Sequence, residues 1–254
     1  MSEPRILLYD IETTPNLGYI WGKWQQNVVA FEREWFILSA AWKWLGEKRI
    51  YSTSLPEYVL YDTDPYDDFG VVSELWELFN QADIVVAHNG DHFDQPKTRT
   101  RMAVHNMPPP EPFLEIDTLK LAKKHFKFTS NRLEDLAKAL DVARKGSAGG
   151  IDTWLGCMSG DEKAWRQMVR YNKQDVTVLE DVYLRLRPWA KQHPNLALLS
   201  DKPKACPKCG VEGQMEPRGW IANSVTRRRR YRCGACTAWS AGRTLHKSEV
   251  GFIN

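Results

Sequence analysis

Apolar residues run almost without interruption from Ile6 to Tyr9 and from Ile37 to Trp42, and a shorter run spans Ile84 to Ala87. Runs of this length and kind predict strands covered on both faces. Between the first two, Asn16 to Trp24 contains glycine and tryptophan without a period and predicts a loop, while Gly46-Glu47-Lys48 predicts a hairpin turn into a third strand over 49–53. Three antiparallel strands should open the chain. Val71, Leu75, Leu78 and Phe79 then recur at helical spacing, and His88-Asn89-Gly90 ends the strand Ile84 to Ala87. A helix is expected from Phe93 to about Asn106, closed by Pro108-Pro109-Pro110, and a strand over 113–117. Asn131 and Glu134 read as a capping box for a helix lined by Leu133, Leu136, Ala137 and Leu140. Ser159 with Glu162 reads as the cap of a long helix that ends before Pro188. Strands first antiparallel and then alternating with helices predict a mixed α/β sheet.

Composition divides this chain of 254 residues. Residues 1–200 carry 24 Lys+Arg against 28 Asp+Glu, a balance of −4, and residues 201–254 carry 11 against 4, a balance of +7. A basic end predicts a polyanionic partner. The Pro- and Lys-containing stretch 193–204 is expected to link a domain over 1–192 to a second over 205–254. No run of eighteen apolar residues and no signal-like N-terminus is present, so a cytoplasmic protein with no membrane partner is expected.

The first candidate chemistry sits where the first strand ends. In Asp10-Ile11-Glu12 the two acids are two apart and share one face, while Ile11 turns back into the protein. Like charges held that close call for a cation or for protonation. A solvated strand end before Thr14-Pro15-Asn16 is the alternative. Asp94 stands where a helix follows a strand, and Asp175 lies one helical turn after Tyr171, on the same face. Each of these also reads as an ordinary surface or helix-start residue.

Their order and spelling carry more. Tyr9-Asp10-Ile11-Glu12-Thr13, His88-Asn89-Gly90-Asp91-His92-Phe93-Asp94 and Tyr171-Asn172-Lys173-Gln174-Asp175 resemble the three motifs of the DnaQ-like 3′-5′ exonucleases. More narrowly, they resemble the subgroup with four acids and a tyrosine, related to the proofreading domains of family B polymerases; Arg170 stands where the sister subgroup would have histidine. The resemblance spans residues 5–190. It implies an RNase H-like fold, a five-stranded sheet flanked by helices, in which Asp10, Glu12, Asp94 and Asp175 hold two divalent ions. Oxygen-only ligation suits Mg²⁺ or Mn²⁺. It further implies that Tyr171 orients the attacking water and that Thr13 and Thr14 lie against the terminal nucleotide. By the same similarity Asn89 and Phe93 contact the substrate strand. Lys145, before a glycine-rich run, is a further candidate phosphate contact, with a plain surface loop as the alternative.

Four of the five cysteines form Cys206-Pro207-Lys208-Cys209 and Cys233-Gly234-Ala235-Cys236, which resemble the knuckles of a zinc ribbon. Two such pairs complete a closed, structural Cys₄ site for one Zn²⁺, with a disulfide or redox pair as the alternative. Cys157 is expected in the core. Arg227, Arg228, Arg229 and Arg230, with Trp220, Tyr231 and Trp239, supply charge and π-faces for a nucleic-acid strand; a solvated basic hairpin is the alternative. The function expected is a 3′-5′ exonuclease releasing nucleoside 5′-monophosphates from DNA with a free 3′ end, free-standing or recruited to a replication or repair complex. An exoribonuclease and a non-catalytic nucleic-acid-binding adaptor are the alternatives.

Overall fold

The structure is a computed structural model that describes residues 3–24, 27–142, 150–223 and 226–245. It divides into two compact units, residues 5–182 and residues 3–4 with 183–245.

In the larger unit, β1 (Ile6–Thr13) leads into a two-stranded ribbon of β2 (Leu17–Tyr19) and β3 (Ala30–Arg33), then β4 (Ile37–Trp44) and β5 (Tyr51–Ser54). There follow α1 (Phe69–Gln81), β6 (Ile84–Ala87), α2 (Asp94–Val104), β7 (Leu114–Asp117), α3 (Thr118–His125), α4 (Leu133–Ala139), α5 (Ile151–Met158) and α6 (Glu162–Leu186). Five strands form one sheet in the order β5-β4-β1-β6-β7; β4 and β5 run antiparallel to their neighbours, and β6 and β7 parallel to β1. This is the mixed sheet flanked by helices that the pattern implies. The residues expected to form a loop at 16–24 instead begin the β2-β3 ribbon. Every residue of β2 is exposed, so burial imposes no apolar/polar alternation there for a period-two reading to find.

β1 has two covered faces. Leu7, Tyr9 and Ile11 join the main core with Trp42, Trp44 and the α1 residues Val71, Val72, Leu75 and Phe79; Tyr9 meets Phe79 edge-on at 5.2 Å between ring centres. The other face meets α6. There Ser39, paired with Glu12, donates to Asn172, and Lys43, paired with Leu8, forms an ion pair with Glu180. Asn172, Val176 and Glu180 recur every four residues, which gives α6 one sheet-facing stripe. Cys157 is buried in the core, as expected, and burial pushes its thiol up to about 12.

Two helix starts differ from their sequence signatures. The helix at Asn131 begins at Leu133 without a side-chain cap, and the carbonyl of Asn131 accepts instead from His88 Nε2 (3.0 Å). Ser159 closes α5 rather than opening α6. It is Asp161 that accepts from Lys163 N–H (2.9 Å) at the α6 start. A Ser-x-x-Glu pattern is local, and a three-residue break between two helices satisfies it from either side.

One buried charge pins the layers together. Fully buried Asp68 accepts from Arg101 Nε and Nη2 (2.7 and 2.6 Å), His105 Nε2 (2.6 Å) and Ile37 N–H (2.8 Å), so α1, α2 and β4 share one carboxylate. Removing one partner of such a pair costs about 3–5 kcal/mol.

In the smaller unit, residues 193–204 carry a short helix, α7 (Leu196–Leu199), whose start is capped by Asn195 Oδ1 accepting from Ala197 N–H (3.1 Å). His193 stacks on Tyr183, and burial lowers its pKa to about 4. The strands β8 (Met215–Ala222), β9 (Arg227–Cys233) and β10 (Trp239–Leu245) form an antiparallel sheet in the order β10-β9-β8. Among the described residues no helix is long and apolar enough to cross a membrane.

Candidate metal centres and nucleic-acid interface

The sheet opens beside β1. β6 pairs with β1 only over Ile6 to Leu8, so the rest of that edge of β1 is left for other donors and acceptors. The chain after β6 turns through Asn89, whose φ is 64°, and Gly90, where a Cβ would come within 2.6 Å of Ala87 Cβ. Asp117, the cap of α3, secures this turn by accepting from Asn89 N–H (2.9 Å) as well as Leu119 N–H (2.8 Å). The turn delivers Asp94 to the first residue of α2. There its Oδ1 takes the freed Ile11 N–H (3.3 Å).

Carboxylate oxygens of Asp10, Glu12 and Asp175 lie within 4.8 Å of one another. Three hard oxygen donors converging from one strand and one helix could hold a divalent cation. Asp94, expected among them, stands outside this group and on the Ile11 side. It is 2% exposed, and desolvation pushes its pKa up to about 7 against the hydrogen bonds from Ile11 and its own backbone. Tyr171 packs edge-on to Trp154 at 6.4 Å between ring centres, one turn before Asp175.

Two residues at this site were not singled out from sequence. Fully buried Asn172 donates through Nδ2 to Asp10 Oδ2 (2.6 Å) and to Asp10 O (3.1 Å), and so fixes the carboxylate of Asp10. Its position between Tyr171 and Asp175 on one helix was the available signal. Lys97 lies three residues after Asp94. Its ammonium donates to Thr13 Oγ1 (3.0 Å) and sits 3.8 Å from the centre of the Trp35 ring and 5.0 Å from that of Phe93. Burial lowers its pKa. Thr14 has a structural task, its Oγ1 accepting from Phe36 N–H (3.1 Å) while its own N–H donates to Phe36 O (3.0 Å). Lys145 lies outside the described residues.

A further group, Asp67, Asp68 and His105, also lies within metal-binding distance. Arg101 already neutralises Asp68, so this group serves the fold.

The four tail cysteines converge, with Cys206 Sγ to Cys236 Sγ at 3.7 Å and Cys209 Sγ to Cys233 Sγ at 3.8 Å. A tetrahedron with Zn–S bonds of about 2.3 Å has edges of about 3.8 Å. The donor set and its spacing fit a zinc ion. Hydrogen bonds from Cys209 and Cys236 hold the Cys206 thiol well below the usual thiol range, and the same contacts push the Cys236 thiol up.

The arginine run divides. Arg227 and Arg229 lie over Trp220 (5.3 and 5.2 Å), whereas Arg230 and Arg232 lie over Trp239 (4.6 and 5.9 Å). Alternation along β9 puts the two sets on opposite faces, so the run is two cation–π stacks rather than one basic patch.

A family model of the RNase_H superfamily matches residues 47–187, more than half of the chain. The chain belongs to the RNase_H superfamily. The matched segment includes Asp94, Tyr171 and Asp175 and begins beyond Asp10 and Glu12. A search of the curated proteins gave no match. Among solved structures, the family B DNA polymerase from the hyperthermophilic archaeon Pyrobaculum calidifontis is similar in fold, with a TM-score of 0.51 and 12% identity, over 73% of this chain and 25% of the polymerase chain. This member of the superfamily thus corresponds to only a quarter of that polymerase chain. Superfamily membership and the converging acids together support nuclease activity.

Proposed function

We propose that this RNase_H superfamily member is a metal-dependent 3′-5′ exonuclease, DnaQ-like and of the four-acid, tyrosine type, acting on DNA with a free 3′ end and releasing nucleoside 5′-monophosphates. The observation that carries the reading is the convergence of Asp10, Glu12 and Asp175 at the C-terminal half of the central strand β1, with Asn172 fixing Asp10. Residues 1–192 form the nuclease domain in this reading and 205–254 a zinc ribbon, joined through 193–204.

Asp10, Glu12 and Asp175, with Asp94 as the fourth acid, would hold two Mg²⁺ or Mn²⁺ ions. Such ions supply Lewis-acid activation of water and neutralise the charge that develops on the phosphate and the leaving oxygen. Tyr171 orients the attacking water through its hydroxyl. Asn172 keeps the Asp10 carboxylate in one rotamer, and Lys97, half-buried against Trp35 and Phe93, offers a positive charge beside Thr13 to the terminal nucleotide. Asn89 and Phe93 border the strand. In the ribbon Cys206, Cys209, Cys233 and Cys236 would hold one Zn²⁺ that would order the sheet, and Arg227 to Arg230 meet phosphates from its two faces.

The test is incubation with 5′-labelled DNA and RNA, single- and double-stranded, with Mg²⁺ or Mn²⁺. A ladder shortening from the 3′ end of DNA, absent with Asp175→Ala, is the expected result. Shortening of RNA alone moves the assignment to an exoribonuclease, and no shortening of any substrate overturns it.

A further inference from the structure

Immediately after the acid strand the chain spends an aromatic arm on solvent. The β2-β3 ribbon begins four residues past Thr13, and all seven of its residues but Arg33 are exposed. Tyr19 is 60% exposed, Phe31 57%, and Trp21 and Trp24, between the two strands, 84% and 85%. Four aromatic side chains this exposed on one short element are costly in water and mark a surface that something covers. The arm is held firmly at its foot. Trp35 N–H donates to Asn16 Oδ1 (2.9 Å), next to the Thr14–Phe36 pair, and Gly18 is required because a Cβ there would meet Val28 Cγ1 at 2.5 Å and Ala30 O at 2.8 Å.

One cation lies against a ring of the arm, and others stand with rings at its foot. Lys23 lies 5.3 Å from the ring centre of Trp24, Arg33 lies 3.4 Å from that of Tyr66, and at the foot Lys97 lies over Trp35 and Phe93 beside Thr13. Glu32, an acid of the ribbon, is engaged by the Tyr19 hydroxyl. Flat π-faces with interleaved positive charge, continuous along the chain with the residues nearest the acids, fit stacked bases and the phosphates between them. A protein partner would be expected to need one packed apolar face. Here both faces of the ribbon carry exposed side chains.

We propose that the β2-β3 arm stacks unpaired bases of a nucleic-acid strand, through Trp21 and Trp24 above all, and that its substrate class is therefore a strand with an unpaired 3′ segment. The inference rests on the exonuclease reading for which strand is bound, since it takes that strand to be the one whose end reaches the acids.

The experiment uses the full chain with its zinc retained, in buffer with Mg²⁺ and Mn²⁺ omitted, so that binding is read without hydrolysis. Fluorescence anisotropy of a labelled single-stranded oligonucleotide and of a blunt duplex is measured with wild type, with a Trp21→Ala/Trp24→Ala double variant and with a Trp21→Phe/Trp24→Phe double variant. Base–aromatic stacking is lost with the alanines, so single-strand affinity should fall at least about tenfold, and phenylalanine should restore it to within about threefold. Blunt-duplex affinity should change less than about twofold. All three proteins should melt at nearly the same temperature, because the side chains replaced are exposed. Single-strand affinity unchanged by alanine overturns the proposal. So does a wild type that self-associates in light scattering while the alanine variant is monomeric, which would assign the arm to a second copy. A wild type that binds through the arm but shortens no strand when Mn²⁺ is restored supports the arm and refutes the nuclease reading, so the two failures are distinguishable.

Discussion

The acid cluster and the cysteine cluster bring their donors together in opposite ways. Cys206 and Cys209 share one knuckle and Cys233 and Cys236 another, so pairs three residues apart in the chain supply the site and only one joining of pairs is left to the fold. Asp10 and Asp175 are separated by most of the larger unit. They meet because β1 and α6 pack face to face, with Asn172 reaching from the helix to the Asp10 carboxylate. The first kind of site carries its own folding energy when metal binds, whereas the second inherits its geometry from a core that forms without the metal.

The largest effect that tests this contrast is zinc removal. Structural zinc contributes on the order of 10–16 kcal/mol in small zinc modules, far more than a small three-stranded sheet gains by packing. A strong chelator, or Cys233→Ser, should abolish amide-exchange protection across β8, β9 and β10 while β1 and β4 keep theirs. Loss of protection in both units together would break the contrast. Next in size is the acid cluster. Asp10→Ala or Asp175→Ala should lower the rate of strand shortening by about a thousandfold or more, a loss of several kcal/mol of charge stabilisation at the reacting phosphate. The midpoint of thermal unfolding should stay within a few degrees, because like charges are being removed. A collapse of the midpoint would mean that the acids, like the cysteines, support their own fold.

How far each site could be read from the chain follows the same divide. The cysteine pairs and the Asp10-Ile11-Glu12 strand end were legible because strand period and ligand spacing are properties of neighbouring residues. The strands β1, β4 and β6 were legible for the same reason, being buried runs with turn signals beside them, whereas the five-stranded sheet came from the family resemblance. Asn172 and Lys97 were visible as residues but not as parts of a site, since their tasks depend on which sheet face α6 covers and on where α2 begins. The β2-β3 arm escaped because exposure on both faces removes the alternation that betrays a strand. The split of the arginine run into two faces needed the register of β9 against β8 and β10.

Burial also makes the larger unit's site sensitive to pH in a way that metal should conceal. Desolvation raises the folded-state pKa of Asp94 to about 7, well above the ordinary carboxylate range of about 4. The folded protein therefore favours the protonated acid, and this contribution to stability is complete below the unfolded value and is lost as pH rises from about 4 to about 7. The difference corresponds to on the order of 4 kcal/mol. With Mg²⁺ and Mn²⁺ omitted and zinc retained, the melting temperature of wild type should fall across that window relative to Asp94→Asn, which has no charge to bury. Added Mg²⁺ should flatten the difference by pairing the carboxylate. Parallel pH profiles for the two proteins would remove Asp94 from the acid centre's energetics.

The smallest expected effects separate the two neighbours on α6. Asn172 holds the Asp10 carboxylate by a 2.6 Å bond and touches no substrate in the proposed arrangement, so its loss should be felt through the metal. Outer partners of metal ligands typically contribute ten- to hundredfold in metal affinity. Asn172→Ala should therefore raise the Mn²⁺ concentration giving half-maximal activity by about tenfold and leave the rate at saturating metal comparatively intact. Tyr171→Phe should do the reverse, with an unchanged half-saturating concentration and a rate lowered by about tenfold, because only the orientation of water is lost. A Tyr171→Phe variant as inactive as Asp10→Ala would give the hydroxyl a larger task than positioning. An Asn172→Ala variant with unaltered metal dependence would show that the sheet and helix alone hold Asp10 in place.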